Sequence, residues 1–246
     1  MIRRPLTALT LLLTLVCAQG AAAQAPVRDS RAPTLTASLD ADAEKPTVVV
    51  RYGATASLRG LLVDADGKPM PGAEVRLTSR ALVTGADDLP AGTLITESDG
   101  TFSVRLPAGP SRRLTLSHRR AQGDTAPVAV AKATLLVRAG VRLRATPSAL
   151  RNGQTLRLRV ELLGRPFPQA GKFVDLQVRR AGKWLNFASI RARNGRLTYT
   201  YRFQNTRRKR TLLFRAQVPA FSTYPYIRGV SRAARVIVRP RLRKPR

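Results

Sequence analysis

The sequence predicts an all-β fold built as two tandem β-sandwiches, and three observations carry that prediction. Short runs of period-2 alternation recur between clusters of Gly, Pro, Asn and Asp, the pattern of half-buried strands joined by turns. No long helical periodicity interrupts them. An internal repeat then divides the chain into two copies of similar length.

The clearest strand is Leu156 to Leu162, where Leu156, Leu158, Val160 and Leu162 occupy one face and Arg157, Arg159 and Glu161 the other. The repeat pairs Gly53-Ala54-Thr55-Ala56-Ser57-Leu58 with Gly153-Gln154-Thr155-Leu156-Arg157-Leu158, at an offset of 100 residues. It pairs Asp99-Gly100-Thr101-Phe102 with Asn194-Gly195-Arg196-Leu197, and Arg112-Arg113 with Arg207-Arg208, at an offset of 95. The slippage implies a longer loop in the first copy. Leu82 to Gly92, carrying Gly85, Asp87, Asp88 and Pro90, has the composition of an exposed turn and is read as that loop. With a boundary near Gly140, each copy has the size of an immunoglobulin-like sandwich of roughly seven strands.

In the first copy, Leu58-Arg59-Gly60-Leu61-Leu62-Val63-Asp64-Ala65-Asp66-Gly67-Lys68-Pro69-Met70-Pro71-Gly72-Ala73-Glu74-Val75-Arg76-Leu77 and then Thr96 to Gly109 resemble the carboxypeptidase regulatory-like domain. The resemblance implies a prealbumin-like Greek-key sandwich, a module that performs no chemistry itself, and it carries no catalytic residue over. Independently of it, Asp66-Gly67 and Asp99-Gly100 are turn formers that tolerate positive φ. The second copy departs from that pattern at Gly164-Arg165-Pro166-Phe167-Pro168, and its segment Val218 to Tyr226 resembles a late hairpin of diverged immunoglobulin-like domains in secreted proteins of high-GC bacteria. The expected organisation is a signal peptide over 1–23, a linker over 24–34, sandwiches over 35–139 and 140–238, and a disordered basic tail over 239–246.

Met1-Ile2-Arg3-Arg4, the apolar run Leu6 to Val16 and the small residues Ala21-Ala22-Ala23 have the three parts of a secretory signal, with cleavage expected after Ala23. The only cysteine, Cys17, lies inside that signal behind Thr14-Leu15-Val16, a poor lipoprotein box, so the mature chain is expected to have no thiol, no disulfide and no lipid anchor. No later run reaches the roughly 18 apolar residues of a membrane span. The expected location is secreted or extracellular, in association with the cell surface or free.

Chemistry is sparsely provided for. The chain has one histidine, His118, beside Arg119-Arg120; it is read as a structural or solvent-exposed side chain, and one histidine without cysteine cannot provide a typical zinc set. Residues 140–246 hold only Glu161 and Asp175 as acids, both within alternating strands, and no phosphate-binding glycine loop occurs. No catalytic residue, metal site or cofactor is therefore expected.

Charge is the remaining signal. The formal net charge is +30, with Arg far outnumbering Lys, and Arg-rich usage by itself also follows from a high-GC genome. Its distribution is uneven. Residues 24–139 carry 15 basic and 12 acidic side chains, whereas 140–246 carry 27 and 2. Outward-pointing Arg157 and Arg159, alternating Arg142 and Arg144, and Arg191 and Arg193 are expected to form a guanidinium plateau if their strands share a sheet. Arg207, Arg208, Lys209 and Arg210 are expected at a hairpin tip. Such groups suit phosphate, sulfate or carboxylate. The expected partners are anionic cell-envelope polymers or another exported protein, with no specific nucleic acid, and a solvated basic face is the plainer alternative. A different class of function, binding of neutral glycans, would use Trp184, Tyr224 and Tyr226 as an exposed stacking surface.

Overall fold

The computed structural model describes residues 32–39, 45–121 and 123–241. The expected signal peptide with Ala23, most of the linker and the last five residues of the basic tail lie outside the described residues. Within them the chain is all-β, and no helix is long and apolar enough to cross a membrane.

The first sandwich comprises β1 (Thr34–Leu39), β2 (Thr47–Val50), β3 (Ala56–Val63), β4 (Glu74–Ala81), β5 (Leu89–Ile95), β6 (Thr101–Leu106), β7 (Arg112–His118) and β8 (Ala129–Val137). The second comprises β9 (Val141–Thr146), β10 (Ala149–Arg151), β11 (Thr155–Leu162), β12 (Lys172–Arg180), β13 (Lys183–Ala192), β14 (Arg196–Arg202), β15 (Arg210–Val218), β16 (Gly229–Val230) and β17 (Ala234–Arg239). The two share one strand plan. Sheet β1-β3-β6 answers to β9-β11-β14, and sheet β2-β8-β7-β4-β5 to β10-β17-β15-β12-β13, with β16 added beside β15. In each, the short strand β2 or β10 pairs in parallel with the last long strand, β8 or β17.

Alternation explains which residues fill the two cores. Leu58 and Leu62 on β3, Phe102 on β6, and Val75, Leu77, Leu114 and Leu116 on the opposing sheet are buried. Leu156, Leu158, Val160 and Leu162 face Val174, Leu176, Phe214, Ala216, Val236 and Val238 in the second sandwich. The repeat recurs at the turns. Gly53 and Gly153 both have positive φ, +80° and +92°. The Leu62 N–H donates to Gly100 O at 3.0 Å, and the Leu162 N–H to Gly195 O at 2.7 Å. Asp64 Oδ1 accepts the Asp66 and Lys68 N–H groups, each at 2.9 Å, so this carboxylate is spent on its own turn.

Four expectations are corrected. Leu82 to Gly92 is only partly a loop, because Leu89 to Gly92 enter β5, an exposed edge strand paired to β4 across a bulge at Leu77/Thr78. Turn composition hid the strand, since an edge strand exposed on both faces shows no alternation. Arg112-Arg113 open β7, whereas Arg207-Arg208 precede β15, so the third repeat match does not hold in space. The cluster from Arg207 to Arg210 is no hairpin tip: β14 and β15 belong to different sheets, and the segment crosses between them, with Arg210 already in β15 paired to Val238. Arg239 is not tail but the last residue of β17, beside Arg151.

The sandwiches are joined tightly at the β15–β16 connection. Ser111 and Thr84 N–H groups donate to Pro225 O (2.8 Å) and Ser222 O (3.0 Å), while the Ala139 N–H donates to Ile227 O and the Ile227 N–H to Val137 O, both at 2.9 Å. Tyr224 and Tyr226 fill the space, 1% and 5% exposed, with their hydroxyls donating to Gly164 O and Arg165 O at 3.0 Å. The Tyr52 ring of the first sandwich lies tilted against that of Tyr226, centroids 6.0 Å apart, and its hydroxyl donates to Leu163 O at 2.6 Å. Gly164 is required here, because a Cβ on it would lie 2.5 Å from the Tyr226 ring.

Beside this joint, Lys172 is 3% exposed and its ammonium makes no hydrogen bond. It lies 3.6 Å from the Phe221 ring centroid and 5.6 Å from that of Tyr224. Burial pushes this lysine down to about 8, and burial also pushes the phenols of Tyr224 and Tyr226 up. Above about pH 8 the folded chain releases the Lys172 proton while the unfolded chain keeps it, so stability is expected to rise with pH until phenols ionise in the unfolded chain near pH 10. Urea titrations at intervals from pH 7 to 10 check this. Lys172→Met should be more stable than the native chain at pH 7 and lose most of the rise; an equal rise in both proteins would remove Lys172 as its origin.

Candidate functional site

The outer face of the sheet β9-β11-β14 follows directly from the alternation that buries Leu156, Leu158 and Val160. Every second residue turns outward, and the register decides what stands beside what. Arg159 lies opposite Arg144 on β9 and Thr198 on β14. Arg157 lies opposite Thr146 and Thr200, Thr155 opposite Arg202, and Glu161 between Arg142 and Arg196. Neighbouring strands are about 4.8 Å apart, and like charges facing each other at that spacing repel.

Among the described residues Glu161 is the only acid on this face. It receives Arg142 at 3.0 Å and Arg196 at 3.8 Å, with Arg196 81% exposed, so these are solvent-screened pairs that contribute little to stability. Arg202 donates to Gly153 O at 3.0 Å. The side chains of Arg144, Arg157 and Arg159 make no hydrogen bond or ion pair with any described residue, and all three are exposed. The face therefore carries unneutralised guanidinium groups among threonines, an arrangement able to take several anionic oxygens at once.

Of the residues named from the sequence, Arg157 and Arg159 are central to this face. Arg191 is not on it: it lies on β13 of the opposite sheet, with its guanidinium 4.7 Å from the Phe173 ring. Arg193 sits in the turn between the two sheets, its N–H and C=O exchanging bonds with Arg196 at 3.1 and 2.9 Å. Arg207, Arg208 and Lys209 are exposed in the loop between sheets, and Arg210 is exposed at the start of β15. Arg196 and Arg202 were missed. Their strand, Arg196-Leu197-Thr198-Tyr199-Thr200-Tyr201-Arg202, shows the signal: both arginines fall on the side opposite Leu197.

The three aromatic residues do not form one exposed surface. Tyr224 and Tyr226 are in the joint, and Trp184 lies on the edge strand β13 with the Arg215 guanidinium 4.2 Å over its ring. His118 is 5% exposed, with Nδ1 2.8 Å from Glu74 O. Among the described residues no group of three or more His, Cys, Asp or Glu side chains is placed to hold a metal ion.

No family model matches this chain, and no curated protein matches it. Solved structures similar to it include the Yersinia pseudotuberculosis adhesin InvE, at 15% identity and TM-score 0.36 over 84% of this chain and 58% of that one. The D0-D1 domain of intimin is similar at 16% identity and TM-score 0.30, over 82% and 96%. The Escherichia coli adhesin FdeC is similar at 15% identity and TM-score 0.33, over 85% and 64%. This chain thus spans little more than half the length of the InvE structure. At such TM-scores the immunoglobulin-like description rests on the strand pairing above.

Proposed function

We propose that the chain is an exported, non-catalytic interaction protein whose second sandwich binds anionic cell-envelope polymers through the β9-β11-β14 face. In this reading residues 35–139 are a carboxypeptidase regulatory-like spacer, residues 140–238 the binding module, and the signal peptide is removed after Ala23. The observation that carries it is Arg144 directly opposite Arg159 with Arg157 beside them, like charges at cross-strand distance and without a partner. Bound phosphate, sulfate or carboxylate groups relieve that repulsion through charge-assisted bonds. A solvated face chosen only for solubility has no need to oppose arginines across a register.

The test is a titration of the mature chain with an anionic envelope polymer and with a neutral glycan, at low and high salt. The logarithm of affinity for the anionic polymer should fall linearly with the logarithm of salt concentration, and the neutral glycan should not bind. Replacing Arg144, Arg157 and Arg159 together by Gln should weaken binding by about tenfold or more. Glu161→Gln should strengthen it about two- to fivefold, because the only opposing charge on the face is gone. A triple variant that binds as the native chain does would end the proposal.

A further inference from the structure

A second gathering of arginines has a different construction. A cleft of about 900 Å³ opens where the sandwiches meet. Arg51 and Arg138 reach it from the first sandwich, and Arg142, Arg215, Arg228 and Arg232 from the second. Among the described residues no Asp or Glu lines it. Its volume is that of a small-ligand pocket rather than of a polymer groove.

The way these arginines are held is the informative part. Arg215 Nε donates to Gln177 Oε1 at 2.6 Å, and its guanidinium rests on Trp184. Arg228 donates twice to Gln217 Oε1, from Nε at 3.1 Å and Nη2 at 2.6 Å. Gln177 and Gln217 are themselves linked, Nε2 to Oε1, at 3.5 Å. Amide oxygens thus orient two guanidinium groups without cancelling their charge, where a carboxylate would do both. Arg51, Arg138 and Arg232 make no side-chain hydrogen bond or ion pair with the described residues. Repulsion among them is left standing: Arg215 is half-buried, and desolvation together with the Arg228 charge pushes its guanidinium down.

One wall of the cleft is closely packed. Tyr52 lines it with its hydroxyl fixed on Leu163 O, and Gly140 admits the ring, since a Cβ there would stand 2.6 Å from Tyr52 Cγ. Orienting groups, packed wall and uncancelled charge are the features of a preorganised anion site. Forked guanidinium groups supplied to one cleft by both sandwiches favour tetrahedral oxyanions carrying more than one charge.

The geometry points to this cleft as a binding site for a compact multivalent phosphate, held jointly by both sandwiches and separate from the polymer-binding face. The inference does not rest on that face, with which it shares only Arg142. Inorganic triphosphate is the probe, titrated calorimetrically into the mature chain at about physiological salt, where weak surface pairing is largely screened. The native chain should bind one equivalent and melt at a higher temperature with triphosphate present, because ligand binds only the folded joint. Arg138→Gln with Arg232→Gln should weaken binding at least about tenfold and remove the thermal shift, whereas Arg144→Gln with Arg159→Gln should leave both nearly unchanged. All four arginines are exposed, so neither double variant disturbs a core. No binding by the native chain, or equal weakening by the two double variants, would overturn the site; in the second case the anion merely follows net charge.

Discussion

Gly229→Ala is expected to cost about 3 kcal/mol or more of folding stability. A Cβ at this position would overlap the carbonyl group of Ala139, and what it meets is backbone, not the end of a flexible side chain. Neither side can retreat. Ala139 is tied through its N–H to Ile227 O, and Gly229 lies in β16 paired with Val218 on β15. For a chain of this size the melting temperature should fall by about 6–12 °C. Denaturant titration of native and variant proteins gives the number; a loss below about 1 kcal/mol would mean that this segment is not seated against Ala139.

Tyr226→Ala is expected to cost about 3–5 kcal/mol, because the ring fills the joint between sandwiches and its removal leaves a cavity lined by Tyr52, Tyr224 and Gly164. The hydroxyl is the smaller part. Tyr226→Phe removes only the bond to Arg165 O and should cost about 1 kcal/mol. The alanine variant should also change the form of unfolding. With the joint loosened, calorimetry should resolve two transitions where the native chain shows one, since each sandwich has its own core. A single transition at the native temperature would show that the joint contributes nothing to cooperativity.

Much of the fold was legible because two local rules sufficed. Alternation from Leu156 to Leu162 identified a strand and its inner face, and Asp99-Gly100 and Asn194-Gly195 marked the same turn in both copies, with Gly100 and Gly195 at φ +75° and +74°. These signals are written in neighbouring residues. What was not legible depends on residues far apart. Period-2 patterning assigns a face but not a sheet, so Arg191 looked equivalent to Arg159 although a sheet crossing separates them. Tyr224-Pro225-Tyr226 has the composition of an exposed loop, and only the approach of Tyr52, Gly164 and Ser111 turns it into a buried joint. Arg196 and Arg202 could have been found by applying to β14 the reading given to β11. The arginine cleft could not, since its members come from five separate stretches of sequence.

The parallel pairing of β2 with β8 and of β10 with β17 has a mechanical consequence. Thr47 stands beside Thr134 and Val50 beside Val137, with Ala149 beside Ile237 and Arg151 beside Arg239 in the second sandwich. The chain runs through the short strand early in each sandwich and through its long partner at the end. Tension along the chain therefore drags two parallel neighbours in opposite directions along their length, and the bonds between them are loaded together in shear rather than peeled apart singly. Each sandwich should hold its length under pull and then give way in one step, at a force set by how fast it unfolds rather than by its equilibrium stability.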